Sequence, residues 1–158
     1  MEIIKTVISR IVRLNPKRFS FLSDQMYIQL KFYDAFGRFM DFKNPKTFNE
    51  KIQWLKVNDY RPEYTTLVDK HAVKEYIAKE IGAEYVIPTL GVWDNFNDID
   101  FETLPNEFVL KCTHDSGGIV VCKDKTTLDL DAAKKKLQSS LNTCFYWMGR
   151  ERPYKDVP

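Results

Sequence analysis

The stretch from Phe108 to Lys123, FVLKCTHDSGGIVVCK, contains the residue types that best suit the binding of an anion. Lys111 ends a β-rich run, where a charged side chain is costly to bury unless it meets an opposite charge. The Ser116-Gly117-Gly118 sequence follows, and its backbone amides can approach phosphate oxygens because glycine has no Cβ atom. The pattern predicts a hairpin whose loop cradles a nucleotide triphosphate, although a Ser-Gly-Gly hairpin can also be a plain turn.

A second lysine with the same potential is Lys70, which follows Asp69 in a segment of helical pattern from Leu67 to Ile81. We expect Lys70 and Lys111 to point into one cleft, because an anion between two ammonium groups relieves their repulsion. His114, in the predicted loop, is a candidate phosphate donor; the alternative is an exposed loop residue. The motifs GxxxxGK[ST] and GxGxxG are absent, which argues against a P-loop and a Rossmann site.

Composition narrows the class of protein further. The chain has 158 residues, 44 % of them apolar, which excludes a disordered chain. A net charge of +2 is too small to argue for a nucleic-acid partner. Three cysteines without a CxxC pair, and only two histidines, do not favour a structural zinc site. No acidic cluster has the spacing of a magnesium site, so we predict no metal ligands in this chain.

The elements around these residues indicate an α+β fold, with helices first. Residues 1–14 form a basic amphipathic helix that either packs on its own domain or lies on a membrane surface. A second helix is predicted from Ser23 to Phe39, and Thr47 and Glu50 form a capping box at the start of a third. We expect antiparallel strands over residues 108–112 and 119–123, joined by residues 113–118, and β-rich pieces between residues 85 and 93.

This order of motifs resembles the ATP-grasp superfamily and, within it, the TupA-like ATP-grasp family. The resemblance covers about residues 40 to 156. It is carried by Asn44–Ile52 (NPKTFNEKI), Leu67–Lys70 (LVDK), Tyr85–Pro88 (YVIP), Leu90–Trp93 (LGVW) and Phe108–Gly118 (FVLKCTHDSGG). It implies a helical region over residues 1–42, followed over residues 43–158 by the first of the two ATP-grasp subdomains, an antiparallel sheet with helices. The C-terminal subdomain would then be missing, and we expect the chain to be a fragment.

The resemblance also implies a role for each candidate residue. Lys70 and Lys111 correspond to the first and second lysines that bind the phosphates of ATP, and Ser116, Gly117 and Gly118 to the lid over the β- and γ-phosphates. Cys112 stands where many members of the superfamily have proline. ATP and Mg²⁺ are the implied cofactors, with the Mg²⁺ ligands in the missing part, so we expect the chain alone to be inactive.

The implied reaction is ATP-dependent activation of a carboxylate through an acylphosphate, followed by ligation. The family is associated with cell-surface polysaccharide and teichuronopeptide biosynthesis in bacteria. Expected partners are the nucleotide and a polysaccharide or peptide precursor, in the cytoplasm, with peripheral membrane contact through residues 1–14 left open. Two alternatives remain: a glycosyltransferase of polysaccharide biosynthesis, and a non-catalytic binding or assembly module.

Overall fold

The computed structural model describes residues 2–157, and the side chains of these residues other than 2–5 and 13. It is mostly helical, with a two-stranded antiparallel sheet, which confirms the predicted α+β class. The chain divides into two compact units. The first comprises the chain up to Tyr64 together with Phe145–Asp156, and the second comprises Thr65–Cys144. A boundary is predicted from the sequence between residues 42 and 43, where the helical region would meet the first subdomain. That boundary stays a prediction.

The regular elements follow one another along the chain as helices, then the hairpin, then helices again. The α-helices are α1 (Glu2–Arg13), α2 (Asp24–Phe36), α3 (Phe48–Asn58), α4 (Glu63–Val68), α5 (Ala72–Ile81), α6 (Leu130–Leu141) and α7 (Tyr146–Gly149). The strands are β1 (Phe108–Lys111) and β2 (Ile119–Cys122). Short 3₁₀ helices cover Pro16–Phe19, Ala83–Tyr85, Phe96–Asp98, Lys125–Thr127 and Arg152–Lys155.

In the first unit, α2 is the central helix. The Ser23 hydroxyl accepts the Met26 N–H at 3.2 Å and caps its start. The helix ends at Phe36, three residues before the predicted end, because Gly37 adopts a left-handed φ of +70° without a steric penalty. Helix α1 packs against α2, with Ile8 buried. None of the helices in the described part of the chain is long and apolar enough to span a bilayer.

The capping box at the start of α3 is confirmed. The Thr47 hydroxyl accepts the Glu50 N–H at 3.3 Å, and Glu50 Oε2 accepts the Thr47 N–H at 2.8 Å. Arg38 donates to the other Glu50 oxygen at 2.6 Å. The Thr47 amide first, then Arg38, lower the pKa of Glu50 to about 2. Because the folded pKa is lowered, this contribution to stability is present above the ordinary carboxyl pKa and is lost as the pH falls towards 2.

Arg150 lies in the interior of the first unit and is only 1 % exposed. Its guanidinium carbon lies 4.5 Å from the centroid of the Tyr27 ring and 4.6 Å from that of the Trp147 ring. One terminal nitrogen donates to the Phe19 carbonyl at 2.8 Å, and the other is 3.7 Å from Asp24 Oδ1. Aromatic faces and a carboxylate thus replace the water that a guanidinium normally requires.

In the second unit, the hairpin forms as predicted. Val109 pairs with Val121, and Lys111 with Ile119, in an antiparallel register. Its inner face packs into a core with α6; the buried members are Leu104, Phe108, Leu110, Cys112, Cys122 and Leu137. The strands end one residue earlier than predicted, at Lys111 and Cys122, and the connection covers residues 112–118.

The single helix predicted from Leu67 to Ile81 is wrong. Helix α4 ends at Val68 and α5 begins at Ala72. Asp69 Oδ1 accepts the N–H groups of His71 at 2.7 Å and Ala72 at 3.1 Å, which offers the backbone a partner other than the helix. The Lys70 N–H leaves the helical pattern and donates to the Thr113 carbonyl at 3.1 Å. Lys70 therefore lies at a junction between helices and contacts the hairpin loop.

Candidate functional site

Lys111 lies on the outer face of the hairpin, at the end where the loop begins. Side chains alternate along β1, so that Phe108 and Leu110 are buried while Val109 and Lys111 are exposed. Val121, the cross-strand partner of Val109, is also exposed on this face. Lys111 thus shares this face with the small apolar surface of Val109 and Val121, a combination that suits a molecule with a flat aromatic ring and an anionic group.

Lys70 reaches the same loop from the α4–α5 junction. Its Nζ donates to the carbonyls of Cys112 at 3.0 Å and Thr113 at 3.2 Å, and to the Asp115 carbonyl. The ammonium nitrogen also lies 4.0 Å from Asp115 Oδ1. An ammonium group has three protons, so the three carbonyls use all of its donors. In this structure Lys70 holds the loop in shape.

Asp115 is the loop residue that sequence reasoning missed. Its carboxylate is buried, and Oδ2 accepts the Gly118 N–H at 2.8 Å and the hydroxyl of Ser140. Oδ1 has no hydrogen-bond partner among the described residues and faces Lys70. Aspartate is favoured at the first position of a β-turn that has glycine at the fourth, and its side chain commonly bonds the turn backbone, so this pattern could have identified the role.

His114 fastens the loop to the C-terminal end of α6. The residue is buried, and Nε2 lies 3.1 Å from the Ser140 carbonyl and 3.2 Å from the Thr143 carbonyl. Because both partners are acceptors, Nε2 carries the proton and Nδ1 is free of it in the neutral ring. The alternative of an exposed loop residue is wrong, because His114 is buried. Its predicted role as a phosphate ligand stays a prediction.

The two glycines of the loop are constrained differently. A Cβ atom on Gly118 would lie 2.5 Å from Ser140 Oγ and 2.7 Å from Cys112 Sγ, closer than real contacts allow. A Cβ on Gly117 would meet nothing within 4 Å. Ser116 and Gly117 form the exposed tip, whereas Gly118 is buried. Gly118 is therefore needed for close packing, and Gly117 leaves the tip open to a ligand.

We expect Gly118→Ala to lower the free energy of unfolding by about 1–3 kcal/mol, because the added methyl group overpacks a buried contact. Gly117→Ala is the matched control, and its effect is expected to stay within about 0.5 kcal/mol. Urea unfolding of both variants measures the difference. Equal losses of stability would contradict the close packing at Gly118.

Cys112 behaves as a small apolar residue. Burial, followed by the nearby Asp115 carboxylate, raises the pKa of its thiol, so the protonated form is favoured. Its Sγ lies 3.7 Å from the Leu137 carbonyl. Cys112 thereby links the end of β1 to α6 and helps to fix the start of the loop.

The structure therefore brings the predicted residues to one loop, but in different situations. Lys111, Ser116 and Gly117 are exposed. The Lys70 ammonium group donates to loop carbonyls instead. Within residues 2–157, no group of three or more histidine, cysteine, aspartate or glutamate side chains could hold a metal ion. The described residues do not fit a Mg²⁺ site.

Comparison with protein families identifies the class to which this fold and loop belong. Residues 50–158 match the family described as TupA-like ATPgrasp. The match covers more than half of the chain, so the chain belongs to the TupA-like ATPgrasp family and to the ATP-grasp superfamily, whose members generally use ATP and Mg²⁺. The comparisons with curated proteins and with solved structures found no match.

Proposed function

We propose that this chain contributes the phosphate-binding loop of an enzyme that uses ATP to activate a carboxylate and ligate it. One observation carries the proposal. Hydrogen bonds from Lys70 and to the Asp115 side chain fix the Thr113–Gly118 loop. The tip of the loop stays exposed, near the end of the strand that carries Lys111. A fixed loop with open backbone amides and a nearby ammonium group is well suited to phosphate oxygens, because its groups need little reorganisation.

In this proposal the residues have separate tasks. Lys111 binds the phosphates directly, and the backbone amides of Ser116 and Gly117 at the tip donate to the β- and γ-phosphates. Lys70 positions the loop and adds positive charge; direct contact with the nucleotide exchanges one loop carbonyl for a phosphate oxygen. His114 anchors the loop to the end of α6. Contact of its Nε2 with phosphate requires the ring to leave the Ser140 and Thr143 carbonyls.

The chemistry follows from the family. ATP supplies the phosphoryl group that converts a carboxylate into an acylphosphate, which a nucleophile then displaces. We propose a role in the synthesis of bacterial cell-surface polysaccharide or teichuronopeptide, in the cytoplasm, with a polysaccharide or peptide precursor as the second partner. Membership of the TupA-like family supports this role.

The test is titration with a non-hydrolysable ATP analogue and Mg²⁺. We expect Lys111→Ala to weaken binding about ten- to hundredfold, because a charge-assisted hydrogen bond contributes roughly 1.5–3 kcal/mol. The thermal midpoint should barely change, since Lys111 is exposed. Calorimetry or fluorescence measures the affinity.

Lys123→Ala is the matched control. Lys123 is also exposed, but it follows β2 at the opposite end of the hairpin, where Cys122 pairs with Phe108. We expect its affinity for the analogue to be unchanged. An equal loss of affinity in both variants would mean that the lysines act only through the general positive charge of the hairpin, and it would contradict direct binding by Lys111. Tight binding of a nucleotide sugar without binding of the ATP analogue would favour the glycosyltransferase alternative instead.

A further inference from the structure

The first unit has a surface cavity of about 390 Å³ that the proposed nucleotide loop does not use. Its size is within the range of small-molecule sites. Six side chains line it: Asp24, Tyr60, Tyr146, Arg152, Lys155 and Asp156. The lining therefore combines two tyrosines with charges of both signs, and the way those charges are already paired determines what the cavity can bind.

The carboxylate of Asp24 is fully engaged inside the protein. Its Oδ1 accepts the hydroxyl proton of the buried Tyr146 and lies 3.7 Å from a terminal nitrogen of Arg150. Its Oδ2 lies 3.4 Å from Arg152 Nε. One carboxylate thus serves two guanidinium groups, and it has little capacity to neutralise a third cation.

Two cations at the cavity retain free donors. Arg152 uses only Nε within the described part of the chain, so both of its terminal nitrogens are available, and its side chain is 46 % exposed. Lys155 forms no ion pair among the described residues; its Nζ lies 5.8 Å from the centroid of the Tyr146 ring. Arg150, which does not line the cavity, also pairs with Asp24, so Arg152 and Lys155 are matched only by this shared carboxylate and by the exposed Asp156.

The two cations with free donors lie on an anchored part of the chain. Arg150 is almost fully buried between the Tyr27 and Trp147 rings, and its left-handed φ of +55° directs the chain into the 3₁₀ helix that carries Arg152 and Lys155. The Tyr60 and Tyr146 side chains line the cavity together with Arg152, whose planar guanidinium has two terminal nitrogens that donate to no described residue. This arrangement favours bidentate recognition of an oxyanion.

We infer that this cavity binds the carboxylate or phosphate group of a small polar molecule. Arg152 and Lys155 contact the oxyanion, and the Tyr60 and Tyr146 side chains form the walls beside the rest of the molecule. The inference uses no residue of the Thr113–Gly118 loop, so it stands or fails independently of the proposed nucleotide site.

The test is titration of the chain with three probes: inorganic phosphate, a hexuronate and a neutral hexose. Chemical shifts of backbone amides report binding and its location. We expect the hexuronate or phosphate to shift amides at residues 150–156, and the neutral hexose to leave them unchanged. The stronger of the two anions identifies the carboxylate or the phosphate as the preferred group.

Variants then separate a specific site from general attraction. We expect Arg152→Ala and Lys155→Ala each to weaken anion binding at least tenfold, without a change in thermal midpoint, because both side chains are exposed. Lys51→Ala, which changes an exposed lysine of α3 in the same unit, is the control that should bind as the unaltered chain does. Equal weakening in Lys51→Ala, or no binding at residues 150–156, would each overturn the inference.

Discussion

Lys70→Ala is expected to weaken binding of an ATP analogue at least tenfold and to lower the free energy of unfolding by about 2–3 kcal/mol. The variant removes the bonds from Nζ to the Cys112, Thr113 and Asp115 carbonyls, and hydrogen bonds to a charged group contribute more than neutral ones. Partial exposure of the side chain reduces this contribution. Without Lys70 the loop loses its shape as well as a nearby positive charge. Analogue titration and urea unfolding measure the two effects.

Lys125→Ala is a matched control for this prediction. Lys125 Nζ donates to the carbonyls of Phe101, Glu102 and Leu104, at 2.8, 3.2 and 2.9 Å, in the same unit but at another loop. We expect a comparable loss of stability with unchanged affinity for nucleotide. If both variants lost affinity equally, Lys70 would act only through general stability and the proposed site would lose its support.

Arg150→Ala is expected to lower the free energy of unfolding by about 3–5 kcal/mol, the largest effect that we predict. The substitution leaves the space between the Tyr27 and Trp147 rings unfilled, and it removes a partner from the Asp24 carboxylate and from the Phe19 carbonyl. Removal of one member of a buried ion pair is costly because the remaining charge is left uncompensated. Denaturant unfolding monitored by tryptophan fluorescence measures the loss.

Arg150→Lys distinguishes the causes of that loss. Lysine keeps the charge but lacks the planar group that lies between both rings, donates to the Phe19 carbonyl from one nitrogen and approaches Asp24 with the other. We therefore expect it to recover less than half of the lost stability. Full recovery would mean that charge alone matters and that stacking contributes little.

Local patterns explain what could be predicted from the sequence. The two β-rich runs around the Gly117-Gly118 pair predicted the hairpin correctly, because strand alternation and turn residues are encoded within a few positions. The capping box between Thr47 and Glu50 was predicted for the same reason, since its bonds span three residues. The exposure of Lys111 was not predicted: the residue was expected at the end of a buried strand, whereas side chains alternate along β1 and Lys111 lies on the exposed face.

Contacts between distant residues explain what could not be predicted. Lys70 donates to the carbonyl of a residue 45 positions away, Asp115. The Asp115 carboxylate in turn accepts from Ser140, 25 positions further along the chain. The helix break at Asp69 was hidden because apolar residues continue at helical spacing through it. The β-rich pieces between residues 85 and 93 form no strand, and Ile87 in this segment is 80 % exposed, because within the second unit they have no strand partner.

The hydrogen bond from the Lys70 backbone to Thr113 also bears on the order in which the second unit folds. It closes a chain segment of 43 residues, and the entropy of such a closure costs roughly 3 kcal/mol. Helix α5 and the hairpin are local structures that can form before this entropy is lost. The contact between Lys70 and the hairpin loop cannot form without this loss. The packed form of the Thr113–Gly118 loop is thus expected to arise late in folding. A variant that slows this step would give a chain with normal secondary structure that reaches its binding-competent state only after a delay.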